Sequence, residues 1–312
     1  MLKRNKKIIF AILVLAAAVR LWALTSNPPH LTPDEAALGY NAYSILKTGR
    51  DEYGKILPII FKSFGDYKPG LYVYLTVPFV GLFGLNEFAV RLPSALAGVL
   101  AVYLIYRVVL ELFKENTSKI NYQRLAMVAS FLLAISPWHI HFSRGAWEVN
   151  LSLTLTLAGI YFFFRACSPL GKSLGKPKFL ILSSIFFSST LLTYQGAKLA
   201  TSIVVAILVI LYRKNLLSFD KKILGRSAAL GVIVSLPIIF SLFQGKAGRL
   251  EVFSVFSYPR PKEYLENFLT QGGEKVGNLS YYLFHSESLN FTRGILGRWF
   301  NHFSGRFIFF DG

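Results

Sequence analysis

The sequence predicts an all-α fold, a polytopic bundle of transmembrane helices whose outer loops carry short interfacial helices. Three observations predict this class. Only 16% of the 312 residues are charged, whereas a soluble globular domain carries about 25%. Hydrophobic residues reach 53%, and the mean hydropathy is +0.46. The apolar residues fall in runs separated by short basic segments, as expected where lipid is the solvent.

The net charge of +18 is also compatible with a protein that binds nucleic acid. The basic residues, however, lie between apolar segments, where the positive-inside rule places them. A nucleic-acid-binding protein would collect them on one soluble face. We therefore expect the membrane as a partner and no nucleic acid.

Cysteine and histidine usage gives little support for a metal centre. The single cysteine, Cys167, cannot form an intrachain disulfide or a Cys-based metal site of the usual ligand count. The five histidines show no HExxH spacing, and His139 with His141 gives only weak support for a metal. We predict no metal, no cofactor and an inert Cys167 at a helix end.

Seven apolar segments are predicted to form helices across residues 1–243. The first, Ile8–Leu24, follows a basic stretch and could be a signal peptide. The further apolar segments favour an uncleaved first helix instead. They are Glu87–Phe113, Arg124–Pro137, Trp147–Ala166, Phe179–Thr193, Leu199–Tyr212 and Ser227–Phe243. About 20 apolar residues cross a bilayer core, so the shorter segments leave room for one re-entrant helix.

The linkers between these segments predict the topology. Residues 1–7, 114–123, 167–178 and 213–226 hold fourteen basic residues and only two acids, Glu115 and Asp220. The positive-inside rule then puts the N-terminus in the cytoplasm and residues 25–86 and 244–312 outside. We expect a multi-pass protein of the cell (plasma) membrane. Because the chain stops in an apolar run, we also expect the sequence to be incomplete at its C-terminus.

The first outer loop contains signals for two short helices. Thr32 can act as N-cap, Pro33 suits the first helical position, and Glu35 completes a capping box. A surface helix over Pro33–Leu46 is predicted, ended by residues 48–51. Pro69–Leu85 is apolar but contains glycine and proline breakers, which favour an interfacial or broken helix.

Asp34 and Glu35 are the first candidate site residues. Acids are favoured at a helix N-terminus by the dipole and by free backbone N–H groups, so capping explains both about as well as chemistry does. A general base needs a carboxylate near the acceptor hydroxyl in a partly desolvated site. Both explanations hold together if Glu35 caps the helix while Asp34 points at substrate.

Asp66 and Lys68 are the second candidates, just before Pro69. An ordinary turn, with Lys68 extending to the lipid headgroups, explains them without any chemistry. The alternative is that Lys68 binds a lipid-linked phosphate, which would lie at the same depth.

Arg144, Glu148, Lys198 and Arg91 are the remaining candidates. Arg144 and Glu148 are four residues apart and can form a helix pair worth a few tenths of a kcal/mol. Snorkelling explains Lys198 equally well. Ionisable residues near the membrane are nevertheless costly and often functional. Together with the two candidate groups of the first outer loop, these residues all lie on the outer side in the predicted topology, and this convergence favours a site.

Five segments carry a resemblance to a known family. They are Thr32-Pro33-Asp34-Glu35, Asp66 to Tyr72, Asn86 to Leu96, Ser136-Pro137-Trp138 with Arg144 and Glu148, and Thr193 to Lys198. Together they resemble the GT-C membrane glycosyltransferases of the protein O-mannosyltransferase and aminoarabinose transferase type. Family members are longer, so the resemblance implies that this chain is an N-terminal portion.

The resemblance also implies an activity and residue roles. It implies an inverting transfer of a sugar from a polyprenyl-phosphate donor to a lipid, glycan or protein acceptor at the outer surface. Asp34 would take the acceptor proton, with Glu35 and Glu148 orienting groups. The donor phosphate would be held by Lys68, Arg144 and Lys198, with support from Asp66 and Arg91. Tyr67 stands where some relatives carry an acid, which argues against a metal here.

A transporter or flippase for a lipid-linked sugar is the alternative from another class. It would share the topology and the contacts with anionic lipid. A transporter places its ionisable groups near the bilayer midplane. In this sequence the candidate groups lie at one edge of the predicted membrane, which favours the enzyme.

Overall fold

The structure, a computed structural model, describes residues 2–64, 66–114, 121–167, 175–243, 262–273, 275–301 and 303–304. The chain divides into two compact units, Met1–Gly248 and Arg249–Gly312. The candidate site residues all belong to the first unit.

The first unit begins with two helices and a small hairpin. Its first elements are α1 (Leu2–Leu21), α2 (Pro33–Thr48), β1 (Ile60–Ser63), β2 (Asp66–Pro69) and α3 (Leu71–Phe83). The predicted capping box at the start of α2 is confirmed, and Gly49 ends this helix with a left-handed φ of 68°. β1 and β2 pair antiparallel, with Phe61 opposite Lys68. The stretch that an ordinary turn could explain is therefore a strand.

Eight helices complete the first unit. They are α4 (Glu87–Phe113), α5 (Tyr122–Ile135), α6 (Pro137–Arg144), α7 (Glu148–Ala166), α8 (Pro177–Thr190), α9 (Ala197–Leu211), α10 (Arg213–Leu217) and α11 (Lys221–Phe243). Each of the seven predicted apolar segments contains a helix. The all-α prediction is confirmed, with the hairpin as an addition.

Helix α4 is the centre of this unit, because it packs against α1, α3, α5 and α7. One core cluster joins α2, α3 and the start of α4. There Tyr72 donates from its hydroxyl to the carbonyl of Val90 at 2.9 Å. Another cluster joins the end of α4 to α7 and α8 through buried aromatic side chains such as Phe163 and Phe187. These contacts fix the ends of α2, α4 and α7 relative to one another.

Three helices of the described residues are long and apolar enough to cross a membrane. They are Glu87–Phe113, Glu148–Ala166 and Lys221–Ser241. Helices α5 and α6, bent by 57° at Ser136, would add a fourth as a broken span. Helices α3 and α9 are apolar but shorter. The prediction of seven spans is not tested by these lengths.

The second unit contains α12 (Lys262–Gln271), a π-helix over Tyr281–His285 and α13 (Glu287–Asn301). Large hydrophobic side chains of α13, including Trp299 and Phe300, are exposed within this unit. Its predicted position on the outer side of the membrane remains a prediction.

The predicted topology can be tested by cysteine labelling. Lys55→Cys should react with an impermeant thiol reagent from outside intact cells, and Lys221→Cys should not, because the basic linkers are predicted to face the cytoplasm. Both positions are exposed. Cys167 should give little background, since it is buried and burial raises the pKa of its thiol to about 12. The opposite labelling pattern would contradict the outward placement of residues 25–86.

Candidate active site

At the N-terminus of α2, the adjacent acids Asp34 and Glu35 have different roles. Thr32 accepts a hydrogen bond on Oγ1 from the Glu35 backbone N–H at 3.3 Å, and its own N–H donates to Glu35 Oε2 at 2.9 Å. The cap is thus made by Thr32 and Glu35. The Asp34 side chain, 43% exposed, takes no part in it.

Glu35 lies in a buried hydrogen-bond network. Its Oε1 accepts from Arg91 Nε and from the Ala146 backbone N–H, each at 2.9 Å. Burial acts to raise the pKa of Glu35, but the hydrogen bonds from Arg91, Thr32 and Ala146 outweigh it. The pKa of this carboxyl therefore lies below its ordinary value of 4.5. The carboxylate ties α2 to α4 and to the turn before α7.

The turn beside Glu35 requires a small residue. A Cβ on Gly145 would lie 2.4 Å from Trp147 Nε1 and 3.5 Å from Glu35 Oε1. Real Cβ atoms do not approach another atom as closely as the first distance, so any side chain would displace Trp147. This close approach lets the Ala146 N–H reach the carboxylate.

The hairpin brings Lys68 to Asp34. Lys68 Nζ lies 2.6 Å from Asp34 Oδ1, and its side chain is 16% exposed. Asp34 Oδ2 has no hydrogen-bond partner among the described residues. A charge-assisted contact of this length is a strong hydrogen bond. Two residues 34 positions apart, predicted separately as site residues, thus meet in one ion pair.

A narrow cleft of about 10 Å³, room for about one water molecule, lies beside this ion pair. Asp34, Lys68 and Ser63 supply its charged and hydroxyl groups, and Phe61 and Val73 are among its apolar walls. Ser63 Oγ is buried without a hydrogen-bond partner in the described part of the chain. A buried hydroxyl without a partner is unusual and can donate to a ligand.

Glu148, the first residue of α7, lies within electrostatic range of both members of the Lys68–Asp34 pair. It is partly buried and forms no ion pair with another described residue. The start of a helix favours a negative charge through the dipole. The structure thus brings a second carboxylate towards Asp34.

The connection between α8 and α9 lies against the hairpin. The Gln195 side-chain amide donates to the Tyr67 carbonyl, and the Leu71 N–H donates to the Leu192 carbonyl at 2.9 Å. Lys198, near the start of α9, consequently interacts electrostatically with Asp66. Both predicted residues therefore lie near the hairpin that carries Lys68.

Arg144, predicted to hold the donor phosphate, is bound to the backbone in this structure. Its guanidinium donates to backbone carbonyls at the end of α1 and in the following loop. These carbonyls belong to Val19, Trp22, Ala23 and Asn27, at 2.6–3.2 Å. In this structure Arg144 fastens the chain that leads to α2, so the geometry does not favour direct phosphate binding by Arg144.

Arg91 also binds backbone carbonyls of this loop. It is fully buried and donates to the carbonyls of Leu24, Pro28 and His30 as well as to Glu35. Residues 22–31 have no helix or strand of their own. Their position, and hence that of Asp34, depends on these two arginines.

Several contacts were not predictable as site features. They include the Ala146 N–H, the Gln195 amide and a buried contact of Arg20 with His139 at 2.7 Å. The Ser136-Pro137 pair, an N-cap followed by a first-turn proline, could have predicted the start of α6. Among the described residues, no group of three or more His, Cys, Asp or Glu could hold a metal ion.

Comparison with protein families identifies the relatives of this chain. The sequence model of the dolichyl-phosphate-mannose-protein mannosyltransferase family matches residues 67–240, more than half of the 312 residues. The chain belongs to this family. The match includes Lys68, Arg91, Arg144, Glu148 and Lys198, whereas Asp34 and Glu35 lie before its first residue.

Solved structures of similar fold provide a second comparison for this mannosyltransferase family member. ArnT from Cupriavidus metallidurans bound to undecaprenyl phosphate is 14% identical, with a TM-score of 0.54, and covers 80% of this chain and 42% of that one. The apo state of the same protein is 18% identical, with a TM-score of 0.52, and covers 81% of this chain and 43% of that one. No curated protein matches by sequence. The chain therefore spans about two fifths of the length of these structures.

The predicted GT-C membership and helix-bundle fold are confirmed. The identities to ArnT are low, so the likeness concerns the fold alone. The functions assigned above to individual residues remain predictions.

Proposed function

We propose that the protein is an inverting glycosyltransferase that moves a sugar from a polyprenyl-phosphate donor to an acceptor. The observation that carries this proposal is the Lys68–Asp34 ion pair, with Glu148 beside it, in a chain of the mannosyltransferase family. A carboxylate and an ammonium group in contact supply a proton acceptor and a phosphate ligand at one position. The undecaprenyl phosphate bound to ArnT supports the donor class.

In this proposal Asp34 is the general base. The acceptor oxygen attacks the anomeric carbon, and its proton passes to Asp34 Oδ2, the oxygen without a partner among described residues. The bond between the anomeric carbon and the phosphate oxygen breaks, and polyprenyl phosphate leaves. A single displacement inverts the anomeric configuration. The acceptor is a lipid, a glycan or a protein at the outer membrane surface.

Lys68 changes partner in the proposed reaction. The cleft of about 10 Å³ beside it is far smaller than a typical ligand pocket of about 300–1,000 Å³. Donor binding would draw Lys68 from Asp34 to the phosphate, which widens the cleft and leaves Asp34 able to accept a proton. Lys68 then stabilises the charge that develops on the leaving phosphate. Glu148 orients Lys68 through its opposite charge.

In this proposal the remaining charged residues hold the segments that carry Asp34 and Lys68 in place. Glu35 and Arg91 hold the N-terminus of α2, and Arg144 holds the loop before it. Asp66 and Lys198 fix the hairpin and the start of α9 on the donor side. Lys198 can contribute further positive charge to the phosphate.

A transfer assay tests the proposal. The full-length protein, purified in detergent, is incubated with polyprenyl-phosphate mannose or polyprenyl-phosphate aminoarabinose and with extracted membrane acceptors. Release of polyprenyl phosphate and a labelled product is the expected result. The flippase alternative is tested in proteoliposomes, where it would move the intact donor across the bilayer. Movement of the lipid without cleavage of the sugar–phosphate bond would contradict the enzyme.

Lys68→Ala should weaken donor binding by about 1.5–3 kcal/mol, the contribution of one hydrogen bond to a charged group. Lys62→Ala is the matched control, because Lys62 is an exposed lysine on the neighbouring strand. Binding is measured by titrating the lipid donor into each variant. Equal donor affinities for the two variants would remove Lys68 from the donor site.

A further inference from the structure

A second cluster of charged side chains lies at the opposite ends of α4 and α7 from Asp34. Arg165 is in the last turn of α7, 17 residues after Glu148, a distance of about 25 Å along a helix. Arg107 and Lys114 lie near the end of α4, and Lys178 lies at the start of α8. We call Arg107, Lys114, Arg165 and Lys178 the basic cluster. The proposed catalytic reaction uses none of them.

Two guanidinium groups of the basic cluster converge on one hydroxyl. Arg107 donates to the Tyr161 hydroxyl at 2.7 Å, and Arg165 donates to the same oxygen at 3.2 Å. Arg107 also donates to the Tyr103 hydroxyl at 2.7 Å. Because one oxygen receives both arginines, two like charges are close neighbours. Like charges repel, and more strongly where the surroundings are partly apolar.

The described residues supply one carboxylate to this cluster. Glu111 Oε2 lies 2.6 Å from Lys114 Nζ, and its Oε1 lies 4.0 Å from Arg165 Nε. No acid among the described residues forms an ion pair with Arg107 or Lys178. Each arginine has five N–H donors, of which these contacts use only a part. Among the residues that the structure describes, the cluster therefore combines excess positive charge with donors in a fork geometry suited to phosphate.

Aromatic side chains form an apolar border to the same cluster. The Arg165 guanidinium lies 4.0 Å from the centre of the Phe179 ring, and Lys178 Nζ lies 5.5 Å from it. Arg107 is six residues from the end of α4, a depth of about 9 Å along the helix. A ligand bound at this depth would contact charged side chains on one side and apolar side chains on the other.

We propose that the basic cluster binds the phosphate of an anionic phospholipid headgroup, in the leaflet opposite the Lys68–Asp34 pair. The helices that carry Arg107 and Arg165 are both long and apolar enough to cross a membrane. Their charged ends therefore lie where headgroup phosphates lie. The phosphate would neutralise the repulsion between the two arginines, and the acyl chains would lie along the apolar helices. Free phosphate offers the same charge without the chains.

The test is lipid binding to the full chain in detergent, followed by native mass spectrometry with phosphatidylglycerol, phosphatidylcholine or inorganic phosphate. R107Q/R165Q should bind phosphatidylglycerol about 30-fold more weakly than wild type, since it removes two direct charge-assisted hydrogen bonds to the phosphate. R213Q/K214Q, which removes the same charge from exposed positions outside the cluster, should stay within about twofold of wild type. Phosphatidylcholine should bind all three proteins alike.

Three outcomes would overturn the proposal. One is equal loss of phosphatidylglycerol from R107Q/R165Q and R213Q/K214Q. Another is competition by inorganic phosphate as strong as that by phosphatidylglycerol, which would identify a soluble anion as the ligand. If a thermal melt shows that R107Q/R165Q does not fold, the comparison uses the single variants R107Q and R165Q. Binding of phosphatidylglycerol by both single variants as tight as by wild type is the third outcome.

Discussion

Asp34→Asn should slow sugar transfer by about 10²–10⁴-fold, the usual contribution of a general base, while the protein remains folded. Asparagine has nearly the same shape but cannot take the acceptor proton. The helix should tolerate it, because Thr32 and Glu35 make the cap and Asp34 does not. The lost contact with Lys68 is partly exposed, and such ion pairs contribute about 0–1 kcal/mol to stability. Transfer is measured beside a thermal melt in detergent.

Glu52→Gln is the matched control for Asp34→Asn. Glu52 is an exposed carboxylate of the same predicted outer loop, and it accepts a hydrogen bond from Asn41 and none from Lys68. The transfer rate of Glu52→Gln should stay within about threefold of wild type, as expected for an exposed side chain outside the ion pair. A wild-type rate for Asp34→Asn would show that Asp34 is not the base. Glu148 would then be the next candidate.

Arg91→Met should lower the free energy of unfolding by about 3–5 kcal/mol, because it leaves the Glu35 carboxylate buried without its partner. It also removes the donors to three loop carbonyls. The same variant should lose transfer activity even at temperatures where it is folded, since the loop before Asp34 is released. Denaturant or thermal unfolding in detergent measures the first effect.

The double variant Arg91→Met/Glu35→Gln checks the cause of this loss. Removing both charges should recover part of the stability, because no unpaired ion remains buried.

The dependence of stability on acid pH should also change in Glu35→Gln. The pKa of Glu35 is lowered by folding, so its stabilising contribution is complete above pH 4.5 and is lost as the pH falls through the folded pKa. Glu35→Gln should therefore lose less stability than wild type when the pH is lowered. Equal acid sensitivity of the two proteins would contradict this role of Glu35.

The helices and the α2 cap were predictable because they depend on local signals. Runs of apolar residues predict α4, α7 and α11 whatever their neighbours are. The capping box needs only four successive residues, from Thr32 to Glu35. Asp34 and Lys68 were predicted to belong to one outer loop, but their ion pair was not predicted.

The contacts of the arginines were not predictable, because they join residues far apart in sequence. Arg144 reaches carbonyls more than a hundred positions earlier, and a backbone acceptor has no sequence signature. The hairpin was missed for a related reason. Its strands have four residues each, too few for an alternating pattern to emerge, and Pro69 argues against a strand.

The arginine contacts with residues 22–31 are made to backbone oxygens, so the side chains of that loop take no part in them. Every residue type has the same carbonyl, and the hold on Asp34 is therefore independent of what the loop displays. Trp22, for example, is 80% exposed beside a carbonyl held by Arg144. The position of Asp34 therefore does not depend on which side chains residues 22–31 carry. We expect exposed side chains of this loop, such as Trp22, to tolerate substitution while Arg91 and Arg144 hold the chain before Asp34 in place.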